Sequence, residues 1–570
     1  MDRDRPRLTE PAPSRAAAIG SPGRLPRHTI VALAAVPVVF LVVFYAWPFA
    51  TLLHRALGLD ALGATLTRRR TWDVAWFTLW QAVASTALTL LAGLAPAYVV
   101  ARYRFPGRRL LVGLLTAVFV LPTVVVGAAL LAVLPASLER GVVAILAAHV
   151  VFNLAVVVRV VGVAWEHLPA DLEGAAATLG ASSTRVLRYV TLPLLRPAIT
   201  AAGSIVFLFT FTSFGVIRIL GTAGTATIEV EVWRRATQLG EIGDAAVLTL
   251  VQLVVLAAIL GWATSSQRRH GRALAMRPVA ERRPPRTAGQ RSFVGITAGL
   301  TATVVLVPLG ALVARSFRGA EGFSVAAWRD LGRTEVRPGI RLGIDPIDAL
   351  VRSLQTAAWA TLFAVVVGAL AALAIAATGR SGRLLDAGVM LPIGTSAVTI
   401  GFGMLITFDT PPFDWRASWW LVPVGHALVA VPFVVRTTLS VLRSVSGRLV
   451  EAAATLGASP TRAWRAVVVP ALWRPLVVAA GLATAISLGE FGATSFLSRS
   501  GSETLPIAIE RLLGRTGTLL QAQGFALATI LAAATIVAVL VVDLAGREHG
   551  GQSRGRHGRR HEGTHRARDR

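Results

Sequence analysis

A twenty-residue segment occurs twice in this chain, 277 residues apart, and each copy lies between long apolar runs. Residues 174–193 read GAAATLGASSTRVLRYVTLP and residues 451–470 read EAAATLGASPTRAWRAVVVP, with thirteen of the twenty positions identical. A polar segment held at one place in two hydrophobic halves confines the chain to a duplicated architecture that does one task twice. The same offset pairs His149 with His426, Arg159 with Arg436, Phe214 with Phe491, Gly215 with Gly492 and Thr227 with Thr504.

Of the 570 residues, 54% are hydrophobic, which fits a polytopic membrane protein and not a soluble multidomain one. A helix rising about 1.5 Å per residue needs about 20 apolar residues to cross about 30 Å of hydrocarbon. Twelve runs meet that length. In the first half they lie near 29–50, 76–100, 110–133, 141–164, 197–220 and 244–265; in the second, near 293–315, 351–377, 384–408, 419–442, 475–498 and 523–545. The expected fold class is an all-α polytopic membrane protein of about 12 transmembrane helices, arranged as two six-helix repeats. Six is even, so the repeats run parallel and imply a pseudo-two-fold axis along the membrane normal, with a path between the halves near the midplane. The expected organisation is a tail over 1–28, a first half over 29–265, a linker over 266–292, a second half over 293–546 and a tail over 547–570.

The net charge is +27, from 57 basic residues, all of them Arg, against 30 acidic ones. Eight Arg fall in the linker, and both tails are Arg-rich. The positive-inside rule then puts the linker and both termini in the cytoplasm of a cell (inner or plasma) membrane. The loop at 101–109, with Arg102, Arg104, Arg108 and Arg109, agrees, and both copies of the repeated segment face the same way. Arg68, Arg69 and Arg70, and Arg329, Arg333, Arg337 and Arg341, fall in loops assigned to the outside and break the rule. Trp72, Trp76 and Trp80, with Trp415, Trp419 and Trp420, suit an outer interfacial belt. Charge concentrated in tails and linker points to the bilayer's anionic headgroups as partner, and not to nucleic acid.

The absence of Cys excludes disulfides, a thiolate metal site and a Cys nucleophile. His549, His557, His561 and His565 read as part of a solvated Arg/His tail, so no metal site is expected. A phosphate-cradling GxxxxGK[ST] loop needs a Lys, and there is none. The chain is therefore not expected to hydrolyse ATP, and neither a catalytic residue nor a cofactor is assigned.

Within the repeated segment, Ala175, Ala176 and Ala177 favour helix. Gly180 offers a left-handed stop, as Gly457 does in the second copy. Ser459 and Pro460 suit an N-cap and a first helical position. Pro193 and Pro470 mark the entry to the next span. The expectation is two short helices at an angle, fit to dock in a partner's groove.

The pattern Glu-Ala-Ala, three residues, Gly, nine residues, aliphatic, one residue, aliphatic, Pro resembles the coupling motif of binding-protein-dependent ABC importer permeases. Glu451, Ala452, Ala453, Gly457, Val467, Val469 and Pro470 fit it, as do Ala175, Ala176, Gly180, Val190, Leu192 and Pro193. The first copy departs at the acidic position, which is Gly174, with Glu173 one residue early. One residue is about 100° of helix, so the two docking sites are expected to be unequal. The resemblance implies the type I ABC importer permease fold, two ATPase subunits on the cytoplasmic side and an extracytoplasmic substrate-binding protein. Phrases such as FTSFG at 211–215, ATIEVEVW at 226–233, SLGEFGATSF at 487–496 and ETLPIAIERL at 503–512 are similar to thiamine-importer permeases. Related phrases occur in iron, sulfate and molybdate permeases. Thiamine or a thiamine phosphate is the expected substrate, with iron(III) as the alternative.

Glu490 falls in the eleventh apolar run, where a carboxylate is costly and so a functional candidate. It could face a cation or pack as a hydrogen-bonded helix residue. Its counterpart is Ser213. His149 and His426, at matching depth, either line the path or hydrogen-bond between helices. Pro122 and Pro392 interrupt the third run of each half at unaligned positions. A rival class, the ion-coupled secondary transporter, would favour several acidic groups in the spans, and leaves the duplicated segment unexplained. No clustered carboxylates, HExxH or nucleophile elbow point to a membrane enzyme.

Overall fold

A computed structural model describes residues 26–168, 170–270, 282–332, 335–337, 340–341, 345–378, 382–444, 447–499 and 501–547. Most of the N-terminal tail, the linker core with Arg272 and Arg277, and the C-terminal tail with its four His lie outside the described residues, as do Arg333 and the side chains of Arg337 and Arg341. The protein is an all-α polytopic membrane protein. Among the described residues, strand is confined to two short ribbons between the seventh and eighth spans, Arg318–Gly319 with Gly322–Phe323 and Glu335–Arg337 with Ile340–Arg341.

Among the described residues, ten helices are long and apolar enough to cross a bilayer: span 1 Arg27–Ala56, span 2 Arg69–Arg102, span 4 Val142–Glu166, span 5 Ser183–Phe211, span 6 Ile242–Gly261, span 7 Ala288–Ser316, span 8 Pro346–Thr378, span 10 Leu421–Ser444, span 11 Thr461–Gly489 and span 12 Thr518–Leu540. Spans 3 and 9 are broken. Arg108–Val120 and Thr123–Val133 meet at 109°, and Arg383–Gly394 and Ala397–Thr407 at 100°. The first break is made by Pro122, which holds Leu121 extended (φ −59°, ψ 142°). The second owes nothing directly to Pro392, which sits inside its helix. There the chain restarts at Ser396, whose hydroxyl accepts from the Val398 N–H at 3.1 Å.

Three spans share a device that the sequence expectation missed. A five-residue π turn precedes Pro48, Pro193 and Pro470, at Val42–Ala46, Leu187–Thr191 and Trp464–Val468. A proline inside an α-helix collides with the carbonyl four residues back, and the wider π turn relieves that collision. Pro193 and Pro470 therefore do not start a span. The helix begins at Ser183 or Thr461 and runs through the π turn without a stop.

Spans 2 and 4, like spans 8 and 10, pack backbone to side chain. A Cβ on Gly93 would lie 2.6 Å from Val157 Cβ, and one on Gly368 would lie 2.7 Å from Val434 Cβ. Small residues at these crossings let dispersion contacts hold helices together in lipid, where no hydrophobic force does so. The halves are also exchanged at their edges. Phe40, Leu41 and Tyr45 of span 1 are buried with spans 8 to 11 of the second half. Val305 and Leu312 of span 7 are buried against span 3 of the first.

Candidate functional site

Both copies of the repeated segment lie at the linker end of the bundle. Each starts with a helix, Ala170–Thr178 or Gly447–Thr455. Each helix ends on a glycine in the left-handed region, Gly180 at φ +81° and Gly457 at φ +84°. The Ala181 and Ala458 N–H groups then donate back five residues to the Ala176 and Ala453 carbonyls, at 3.1 and 3.0 Å. This closure fixes the angle between the short helix and the following span. It also turns one side chain per copy outward: Leu179 and Leu456 are each 88% exposed. Ala175, Ala452, Pro193 and Pro470 are exposed, and Ala176 and Ala453 half-buried. Sequence reading passed over the two leucines, although their place directly before each glycine marked them.

The acidic positions differ. Glu451 is exposed. Glu173 turns inward, 3.2 Å from the Arg102 guanidinium, and accepts from the Thr191 hydroxyl at 3.1 Å. The one-residue displacement thus hands this carboxylate to the body of the protein. Glu166 nearby accepts from Arg282 at 2.7 Å and Arg108 at 3.3 Å, tying the linker to the loop after span 2.

A second set of residues lies where spans 5 and 11 end short of the far surface. Glu490 is not within span 11; the helix stops at Gly489 and Glu490 is extended (φ −73°, ψ 121°). Its carboxylate accepts from the Ala493 and Thr494 N–H groups at 3.0 and 3.1 Å, and from the Thr494 hydroxyl at 3.0 Å. It thereby caps the short helix Thr494–Leu497. His426 of span 10 sits 3.3 Å from this carboxylate, and is bonded to Ser487 at 2.8 Å and Thr494 at 2.7 Å. In the first half His149 joins Ser85 of span 2 to Ser213, both at 2.9 Å. The structure therefore brings Ser213 to His149 and Glu490 to His426, all four buried, in two related clusters. Glu229 also belongs to this depth. It is 1% exposed and accepts from Gln252 of span 6 at 2.8 Å.

Between these breaks and the far surface the two halves touch through symmetry-related contacts. Phe214 and Phe491, partners under the 277-residue offset, meet ring to ring at 5.2 Å. A residue can touch its own counterpart only near the pseudo-two-fold axis. Arg218 forms an ion pair with Glu510 of the other half and stacks 3.7 Å over the Trp233 ring. The related contact joins Ser495 and Trp233, whose indole N–H donates to the Ser495 carbonyl at 3.2 Å. One side of the axis is thus closed by charge and the other by a neutral hydrogen bond. Arg140 adds bonds to the Ile219 and Leu513 carbonyls, at 2.9 and 3.4 Å. The sequence held a signal for this latch: the offset aligns Arg218 with Ser495 and Trp233 with Glu510.

Of the arginines that break the positive-inside pattern, Arg68 and Arg70 are paired with nearby carboxylates. Arg68 pairs with Asp244, Arg235 with Asp244 at 3.0 Å and with Glu231 at 3.1 Å, and Arg70 with Glu231 at 3.6 Å. Burial alone would raise the Glu231 carboxyl, but hydrogen bonds from Arg234 and Arg235 outweigh it and hold it below the ordinary carboxylate value.

The model of the family described as "Binding-protein-dependent transport system inner membrane component" matches residues 89–269 and again 364–547. The thiamine transport system permease protein ThiP of Brucella abortus (strain 2308) is 27% identical over 499 residues, covering 83% of this chain and 88% of that protein. ThiP of Escherichia coli (strain K12) is 26% identical over 468 residues, covering 78% and 84%. The putative 2-aminoethylphosphonate transport system permease protein PhnV of Salmonella paratyphi A is 32% identical over 197 residues, covering 34% of this chain and 73% of that one.

Proposed function

The chain belongs to the family of binding-protein-dependent transport system inner membrane components, and from that membership we propose that it carries thiamine or a thiamine phosphate inward, driven by ATP hydrolysed on two separate subunits. One observation carries the mechanism: two rigid, glycine-closed helices present the same exposed leucine, Leu179 and Leu456, on the face that carries the linker. Each leucine is the knob for a groove on one ATPase subunit. That face is the cytoplasmic one, with both termini on it, and an extracytoplasmic binding protein delivers ligand to the other.

Thiamine is favoured because the thiamine permeases align across both halves, whereas the phosphonate permease aligns with about a third of the chain. Closure of the ATPase pair draws the coupling segments together and rocks the halves about the axis marked by Phe214 and Phe491. The Arg218–Glu510 and Trp233–Ser495 contacts part, and the ligand passes the breaks at Ser213 and Glu490. Glu490 supplies negative charge at that depth for a cationic ligand, beside Glu229, whose carboxyl burial pushes up to about 8, and His149 and His426 hold the ends of spans 5 and 11 in register.

The test is purification of the tagged chain from its own membrane, followed by reconstitution. Co-purification of an ATPase and ATP-dependent uptake of labelled thiamine, not displaced by 2-aminoethylphosphonate, are expected. Uphill uptake with no ATPase present would sink the mechanism, and uptake of the phosphonate alone would sink the substrate.

A further inference from the structure

The two coupling segments rest on unlike ground. Under the second, the space is filled: Val450 and Trp464 are 3% and 4% exposed and belong to the core of that half. Their counterparts in the first half are Glu173 and Leu187. Glu173 is drawn aside by Arg102, and Leu187 is smaller than Trp and 42% exposed. A cavity of about 590 Å³ remains, between spans 2, 4 and 5 and the start of span 7.

Its walls are aromatic and aliphatic. Tyr98 lies 5.1 Å from Trp165 and 6.2 Å from Phe293, ring to ring. Leu91 at the mouth is 72% exposed, on a membrane-spanning helix, so the mouth faces lipid. Glu173, Ser183 and Thr191 also line it, the Glu173 carboxylate offset by the Arg102 guanidinium at 3.2 Å, and two further polar groups are placed for a ligand. The Trp165 indole N–H is buried without a hydrogen-bond partner. Arg283, exposed at the linker end, has no carboxylate partner among the described residues, and its guanidinium lies 5.9 Å from the Tyr103 ring.

We propose that this cavity is a binding site for one anionic phospholipid, its acyl chain beside Leu91 and Phe293 and its phosphate at Arg283. A largely apolar slot open to lipid, with a cation at the headgroup end that meets only the Tyr98 and Tyr103 side chains and no carboxylate among the described residues, is complementary to that molecule. The ordered donor at Trp165 is left for a headgroup or ester oxygen. The lipid touches Ala177 and Ala181 of the first coupling segment, which also line the cavity, and so stiffens one docking site and not the other.

The experiment uses the full chain in vesicles of mixed phosphatidylethanolamine and phosphatidylglycerol, extracted gently and weighed by native mass spectrometry. The wild type is expected to retain one phosphatidylglycerol. Leu187→Trp, which installs the residue that fills the same place in the second half, should lose it. Leu384→Trp, at an exposed position of the second half, should keep it. Arg283→Gln is a surface change that decides the matter if Leu187→Trp fails to fold. It should lower the preference for phosphatidylglycerol over phosphatidylethanolamine by roughly fivefold, the weight of one basic side chain at an anionic surface. Equal retention and equal preference in wild type and Arg283→Gln overturn the proposal, as does undiminished retention in a folded Leu187→Trp.

Discussion

At the scale of single residues, position along the duplication decides what each charge does. Glu173 and Glu451 stand one register apart, and that step separates a carboxylate bound to Arg102 from one that faces outward. Glu510 and Trp233 are counterparts, and the difference between them makes one half of the latch ionic. Both side chains of the Arg218–Glu510 pair are about a fifth exposed, so the pair is less screened than a surface one. Glu510→Gln should therefore cost about 1–3 kcal/mol of far-side closure. It should show as easier labelling of a cysteine introduced beside the Phe214–Phe491 contact, while Trp233→Phe, which keeps the ring under Arg218, should show a smaller effect. Glu231 gives a pH dependence whose sign follows from its lowered value. The folded group holds its charge more tightly than the unfolded one, so its contribution is full above the ordinary carboxylate value of about pH 4 and is lost as pH falls through the folded value. Thermal melts in detergent should lose stability on acidification through that window, and Glu231→Gln should flatten the loss.

At the scale of elements, the glycine-closed segments are the sharpest test of docking. Gly180 and Gly457 have open space where a Cβ would go, so only the left-handed backbone resists substitution. A β-branched residue there costs about 1–2 kcal/mol each and reopens the angle, whereas Asn tolerates the conformation. Gly180→Val with Gly457→Val should release the ATPase on pull-down, and the double Asn variant should retain it. Leu179→Ala with Leu456→Ala removes both knobs without touching the angle, and should weaken association by at least about 2 kcal/mol if they are anchors. The segments were legible in the sequence because repetition exposed them and because Gly after an Ala-rich run has few other uses. The π turns were not, since Pro193 and Pro470 read equally well as helix starts. Nor was the end of span 11 at Gly489: no proline marks it and apolar residues resume beyond Glu490, and it is the extended Glu490 backbone and the carboxylate's bonds to Ala493 and Thr494 that show the chain has left the helix. The 109° and 100° bends of spans 3 and 9 were legible as interruptions at Pro122 and near Pro392, but not as near-right angles.

At the scale of the whole molecule, the halves hold each other through their first helices, span 1 lying on the second half and span 7 on the first. Cutting the chain in the linker should leave the two pieces able to assemble when co-expressed, and they should elute together. Deleting residues 27–56 should instead destabilise the second half, which loses the partner of Phe408 and Trp415 in Phe44, even though the deleted segment belongs by sequence to the first. This exchange has a consequence for biogenesis. Span 1 leaves the ribosome before the other spans, yet the helices that bury Phe40 and Tyr45 are made only after the linker has emerged. Throughout that interval its Phe40–Tyr45 stretch lies among acyl chains while only its later part, with Leu52 and Ala56, has first-half partners, and a helix so placed is held largely by hydrocarbon. Its mean hydropathy of 2.6 is the highest of the ten uninterrupted spans. The translocon is thus given the most insertable of these segments before the second-half helices that bury its Phe40–Tyr45 stretch have been made.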